Sequence, residues 1–179
     1  MKKILSIVVV FMLTLGAMAQ TQHLKFMGIP LTGTISAFHQ KLVAKGLKHD
    51  VEGSQNIGPG TRKFTGTFYG KNANIYVKYN PTTKIVYGAY AVITYYSEDS
   101  MKSGYAELKS ALSEKYPNAY EYEGEFDGYD YISYYVNGGC IDLYCSKYDE
   151  TYPTQYWLYI DYRDAINSEK NDKQKSNDL

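Results

Sequence analysis

Apolar and polar positions alternate along the chain in one order, twice over. Between Thr32 and Gly46, the residues Ile35, Phe38, Leu42 and Val43 recur at helical spacing. Thr34 or Thr32 is placed to cap this helix and Gly46 to stop it. Between Ser97 and Pro117, the residues Met101, Tyr105, Leu108 and Leu112 form a second stripe, capped by Ser97 or Ser100 and ended by Pro117. Four strand-like runs follow each helix: 47–52, 63–69, 73–80 and 84–96 after the first, then 119–126, 129–136, 140–147 and 156–163 after the second. The loop GSQNIGPGT separates the first two runs, and GKN and NPTT separate the next ones. Asp127-Gly128 and Asn137-Gly138 carry the strongest hairpin signals, because type I′ turns need two residues at positive φ. At an offset of about 66 residues the halves align, TFYGKNANIYV from Thr67 over SYYVNGGCIDL from Ser133.

This pattern predicts an α+β fold of two tandem helix-plus-four-strand units, residues 34–96 and 97–164. Together they form an antiparallel sheet with both helices on one face. One continuous sheet over a single core is the alternative. Residues 20–33 are an N-terminal segment. Residues 165–179 (AINSEKNDKQKSNDL) have no apolar period and read as a disordered polar tail.

The first residues read as a secretory signal. Lys2 and Lys3 precede the apolar run 4–15, and Ala17-Met18-Ala19 is an A-x-A cleavage site. Residues 1–19 are therefore assigned to a signal peptide, which places the protein in the periplasm or outside the cell. No cysteine lies near the cleavage site, and no later apolar run approaches the roughly 20 residues of a spanning helix. The expectation is no membrane anchor after cleavage. The whole chain balances 19 basic against 19 acidic side chains, and loss of Lys2 and Lys3 leaves the remainder slightly acidic. Arg62 and Arg163 are its two arginines. That balance excludes nucleic-acid binding and a polybasic membrane surface as bulk electrostatic roles.

The element order over about residues 30 to 163 resembles the β-lactamase inhibitor protein family, whose exported members are tandem helix-plus-four-strand repeats. That family staples its repeats with disulfides, which the cysteine pair of CIDLYC cannot supply alone. The helix-then-strands half also resembles small envelope proteins of the outer-membrane assembly machinery. The opening FMGIPLTGTISAFHQKLVAKGL is similar to the start of short exported bacterial proteins of unknown function, where a G-x-P-x-x-G segment leads into a helix. These resemblances imply an exported α+β protein and, from the first family, a role as a protein inhibitor.

The chain has 21 tyrosines. Strand alternation divides them between two faces. Ile75, Val77, Ile132, Tyr134, Ile141, Leu143, Leu158 and Ile160 suit the core, which places Tyr76, Tyr129, Tyr131, Tyr135, Tyr144, Trp157 and Tyr159 on the other face. The run 84–96 is apolar on both faces and stays unassigned. Tyrosines are also good strand residues whose cross-strand pairs stabilise a half-exposed sheet. As a surface they offer rigid contact area with a hydroxyl, suited to a protein loop or to sugar rings.

Other chemistry is sparse. Glu121, Glu123, Glu125 and Asp127 recur at period two, with Asp130 across the hairpin and Lys115 or Lys147 as possible counter-ions. Strand carboxylates ~7 Å apart cannot all reach one ion, and the comb reads as an acidic edge that discourages strand-to-strand aggregation. Cys140 and Cys145 point to opposite faces of one strand and should not bond each other. Cys145 reads as a buried hydrophobe and Cys140 as a half-exposed thiol. His39 is expected on the exposed side of its helix, where pairing with Cys140 would make a nucleophile dyad. His23, His39 and His49 show no zinc spacing, and no phosphate or dinucleotide motif is present, so neither a metal nor a cofactor is expected. The favoured reading is a non-catalytic exported binding protein that uses the tyrosine face to hold an envelope or extracellular protein, as an inhibitor or otherwise, or a glycan. The alternatives are a small periplasmic hydrolase using Cys140 or the acidic hairpin, and a structural envelope component.

Overall fold

The structure, a computed structural model, describes residues 22–126, 128–147 and 155–177. The signal peptide assigned to residues 1–19 lies outside them. The described chain opens with a small hairpin, β1 (Lys25–Phe26) and β2 (Ile29–Pro30). It buries Leu24, Phe26, Ile29 and Leu31. Helix α1 (Ile35–Ala44) is capped by Thr34, whose Oγ1 accepts from the Ala37 amide, and buries Ile35, Phe38 and Leu42. Val43, part of the predicted stripe, is exposed. Strand β3 (Lys48–Asp50) runs straight into α2 (Val51–Ile57), a helix that takes in the end of the predicted strand run 47–52 and the start of the predicted loop. Asp50 caps α2 through the Gly53 amide. No residue of α2 is buried, so no apolar stripe could have announced it.

Strands β4 (Thr61–Phe68), β5 (Lys71–Tyr79) and β6 (Val86–Tyr95) complete the first half. Helix α3 (Glu98–Lys115), capped by Ser97, buries the predicted Met101, Tyr105, Leu108 and Leu112. Strands β7 (Tyr120–Phe126), β8 (Tyr129–Val136), β9 (Gly139–Lys147) and β10 (Tyr156–Asp164) follow. Two described hairpins have two successive positive φ values in their turns, β1–β2 at Met27 and Gly28 and β4–β5 at Tyr69 and Gly70. At Asn137-Gly138 only the glycine has positive φ.

Residues 165–177, read from the sequence as a disordered tail, form α4 (Ala165–Asn177). The reason the pattern missed it is chemical: α4 docks through amides. Asn167 Nδ2 donates to the carbonyls of Leu31 and Val86 at 3.0 and 3.1 Å, and Asn80 Nδ2 donates to Asn171 Oδ1 at 2.9 Å. Polar docking leaves no hydrophobic period to read.

Strands β3 to β10 form one antiparallel sheet in the order β3-β4-β5-β6-β10-β9-β8-β7. The two halves therefore meet along β6 and β10, from Tyr95 opposite Tyr156 to Gly88 opposite Arg163. Residues opposite one another in a ladder share a face. One such row, Phe64, Ile75, Ala91, Ile160, Leu143 and Ile132, crosses six strands and is fully buried. It defines the inner face, and the buried side chains of both halves form one connected core. Helix α3 packs on β6, β9 and β10.

Asp164, at the end of β10, is fully buried and ties three segments together. It accepts from the Leu24 and Asn167 amides at 2.9 Å and pairs with His23 Nδ1 at 3.1 Å.

Candidate functional site

The outer face is set by the same registers. Tyr76, Tyr131, Tyr135, Tyr144, Trp157 and Tyr159 lie out of step with the buried row and so share the outer face, whereas Tyr129, predicted to join them, starts β8 at the hairpin and packs against the buried core. Tyr135 is 51% exposed and the other six are partly covered. The register also supplies what alternation within one strand could not. Tyr90 of β6 stands opposite Tyr76 and Asp161. On β7, Tyr120 and Phe126 stand opposite Tyr135 and Tyr129, and Tyr122 opposite Ser133. The β7 rings were legible in principle, because they alternate with the glutamates.

The rings organise into stacks. Tyr76 and Tyr90 lie parallel at 4.6 Å, and Tyr144 and Tyr159 at 4.7 Å. Phe126 meets Tyr144 edge-on at 5.4 Å, and Trp157 meets Tyr159 edge-on at 6.1 Å. Such pairs hold rings in fixed orientations. Burial raises the hydroxyl pKa of Tyr90, Tyr144 and Tyr159, so these rings stay neutral at ordinary pH.

Two carboxylates stand among these stacks. Asp142 and Asp161 are direct partners across β9 and β10. Like charges so placed repel, and each is offset by a cation. Lys78 Nζ sits 2.7 Å from Asp161 Oδ2 and 4.9 Å above the Tyr90 ring, while Arg163 donates to Asp142 Oδ2 at 2.8 Å. Ser133 Oγ bonds Asp142 Oδ1, and Tyr131 bonds Ser133. Asp161 Oδ1 is buried with no hydrogen-bond partner among the described residues. Beside this cluster, a groove of about 540 Å³ runs over the first half, lined by Lys48, Thr65, Asn72, Asn74, Val92 and Thr94 among others. Thr94 and Val92 are the register partners of Trp157 and Tyr159, so the polar groove adjoins the aromatic rows.

The remaining predicted groups are distributed differently. Both cysteines are free. Cys140 lies beside Arg163 on the outer face, opposite Tyr135, and burial followed by the Asp142 charge pushes its thiol pKa up. Burial pushes the Cys145 thiol to about 12. His39 is half-buried rather than on the open side of α1. It packs edge-on against His49 at 4.9 Å and the buried Phe64 at 5.2 Å, and its Nδ1 is 3.2 Å from Arg62. It therefore sits with the inner-face side chains of the first half, and the Cys140–His39 pair is not brought together. Glu121, Glu123 and Glu125 share the inner side of β7, opposite Tyr134, Ile132 and Asp130. Asp127 lies outside the described residues. Their partners come from α3 rather than from Lys115 or Lys147: Lys109 Nζ is 2.7 Å from Glu123, and Ser113 donates to Glu121 at 3.0 Å. Among the described residues, no group of three or more His, Cys, Asp or Glu side chains is arranged to hold a metal ion. No described helix is long and apolar enough to cross a membrane.

No family model, curated protein or solved structure matches this chain.

Proposed function

We propose that the protein is a non-catalytic exported binding protein, acting in the periplasm or outside the cell, and that the outer sheet face is its binding surface. The observation that carries this reading is the pair of tyrosine stacks beside Asp142 and Asp161 on one continuous antiparallel sheet. Rigid rings offer large contact area at little entropic cost, and the carboxylates offer acceptors that fix orientation. A protein segment, held in the manner of an inhibitor, or a glycan fits that chemistry. Two helix-plus-four-strand units joined at β6 and β10 would make the face wide enough for either.

A binding role is also supported by how the reactive groups are placed. A thiol raised in pKa and lacking a histidine partner is a poor nucleophile, which weighs against a hydrolase built on Cys140. Asp142 and Asp161 each hold a cation already, which suits recognition better than proton transfer. The test is capture from envelope extract, run beside a glycan array, with wild-type protein and a Tyr76→Ser/Tyr131→Ser/Trp157→Ser variant of unchanged circular dichroism. The variant should lose at least about tenfold in affinity for whatever the wild type retains. Equal retention by both proteins would remove the outer face as the binding surface.

A further inference from the structure

The two edges of the sheet are finished in different ways. At one edge β3 is three residues long, and α2 follows it at once. Ser54 of α2 accepts from the Lys63 amide at 2.9 Å and donates to the Asp50 carbonyl at 2.6 Å, while Lys63 pairs with Asp50 at 2.9 Å. That edge is short, and its last carbonyl and carboxylate, those of Asp50, are occupied. At the other edge β7 runs for seven residues, every one of them exposed, with β8 as its ladder partner on one side. An antiparallel strand paired on one side directs about half of its N–H and C=O groups outward, ready to template another strand.

The side chains of β7 state what such a strand would look like. On the inner side stand Glu121, Glu123 and Glu125, with Asp130 next to Glu125. Of these four, only Glu123 has an ion-pair partner among the described residues, Lys109. On the outer side stand Tyr120, Tyr122 and Phe126, exposed by 69%, 55% and 53%. A strand guarded solely against association would not display three aromatic rings, since exposed apolar patches mark contact sites. A second copy of the chain fits poorly. Antiparallel β7–β7 pairing about Glu123 would set Glu123 against Glu123 and Glu121 against Glu125, like charges directly opposed.

We propose that β7 accepts an extended segment of a partner protein as an added strand, with lysine or arginine at alternate positions facing Glu121, Glu123 and Glu125. The intervening positions, facing Tyr120, Tyr122 and Phe126, would be apolar or aromatic. Main-chain pairing supplies affinity and the alternation supplies selectivity, as in other strand additions. The same carboxylates that admit a basic strand repel a second copy.

The probe is a nine-residue synthetic peptide of alternating lysine and valine, compared with an alternating glutamate–valine peptide and with the lysine peptide carrying a central proline. Binding is followed by fluorescence anisotropy, and backbone amide exchange is measured on the wild-type protein. The lysine peptide should bind and slow exchange within residues 120–126. The glutamate peptide should bind at least about tenfold more weakly, and the proline peptide should lose protection because a ladder donor is missing. A Glu121→Lys/Glu123→Lys/Glu125→Lys variant should reverse the charge preference. If that variant fails to fold, the exchange pattern of the wild type still decides. Binding without protection of residues 120–126, equal binding of the glutamate peptide, or no binding at all would overturn the proposal. So would protection that grows with protein concentration in the absence of peptide, which would put a second copy on this edge.

Discussion

His39, His49 and Arg62 crowd one corner of the first half, around the buried ring of Phe64. Burial, then the His49 and Arg62 charges, lowers the His39 pKa below its ordinary 6.5. Burial, then Arg62, does the same to His49, with Asp50 acting in the opposite direction. A histidine whose pKa falls on folding takes up protons more readily in the unfolded chain. The native state is therefore fully favoured above about pH 6.5 and loses stability as pH falls below it. Urea midpoints should drop between about pH 7.5 and about pH 5, and His39→Gln/His49→Gln should flatten that drop. A double variant with the wild-type pH profile would show that other groups carry it. At this scale much was legible, because a two-residue period assigns faces without any knowledge of neighbours. Tyr90 escaped because β6 has apolar residues on both sides. Lys109, the partner of Glu123, escaped because it reaches β7 through space from a helix that precedes it.

Helices divide by how they are held. The α1 and α3 stripes were readable, with caps at Thr34 and Ser97, because both helices bury apolar side chains. Neither α2 nor α4 shows a stripe, since one buries nothing and the other docks through asparagines. Ending the chain after Asp164 would delete three of these amide hydrogen bonds and strand the Leu31 and Val86 carbonyls. At roughly 1 kcal/mol each, the loss should be about 3 kcal/mol in urea unfolding. An unchanged midpoint would show that α4 is bound too weakly to matter. Turns divide in a similar way. Asn137-Gly138 announced a hairpin, but the need for glycine there has a second cause. A Cβ on Gly138 would run into the Gln22 carbonyl, and one on Gly139 into that of Arg163. Those neighbours are remote in sequence, and no local pattern shows them.

For the whole molecule, the pattern supplied the eight strands of the main sheet in chain order, but neither the β1–β2 hairpin nor which strands are neighbours. The junction of β6 with β10 joins strands separated by α3 and three other strands, and periodicity does not encode such a pairing. Because the inner row runs unbroken from Phe64 to Ile132, the two halves should unfold together. Phe64→Ala, in the first half, should move the transition reported by Trp157 fluorescence, in the second, by roughly 3–5 kcal/mol. Two separate transitions, with Trp157 blind to Phe64→Ala, would divide the core instead. The Asp164 junction has a consequence of another kind, in time. Ribosomes release a chain from its N-terminus, so residues 24–31 emerge long before the residue that receives the Leu24 amide exists. This early segment is thus among the last to be seated. A chain halted before Asp164 leaves the Leu24 amide without its final partner, and so carries a built-in mark of incompleteness that chaperones and proteases are equipped to read.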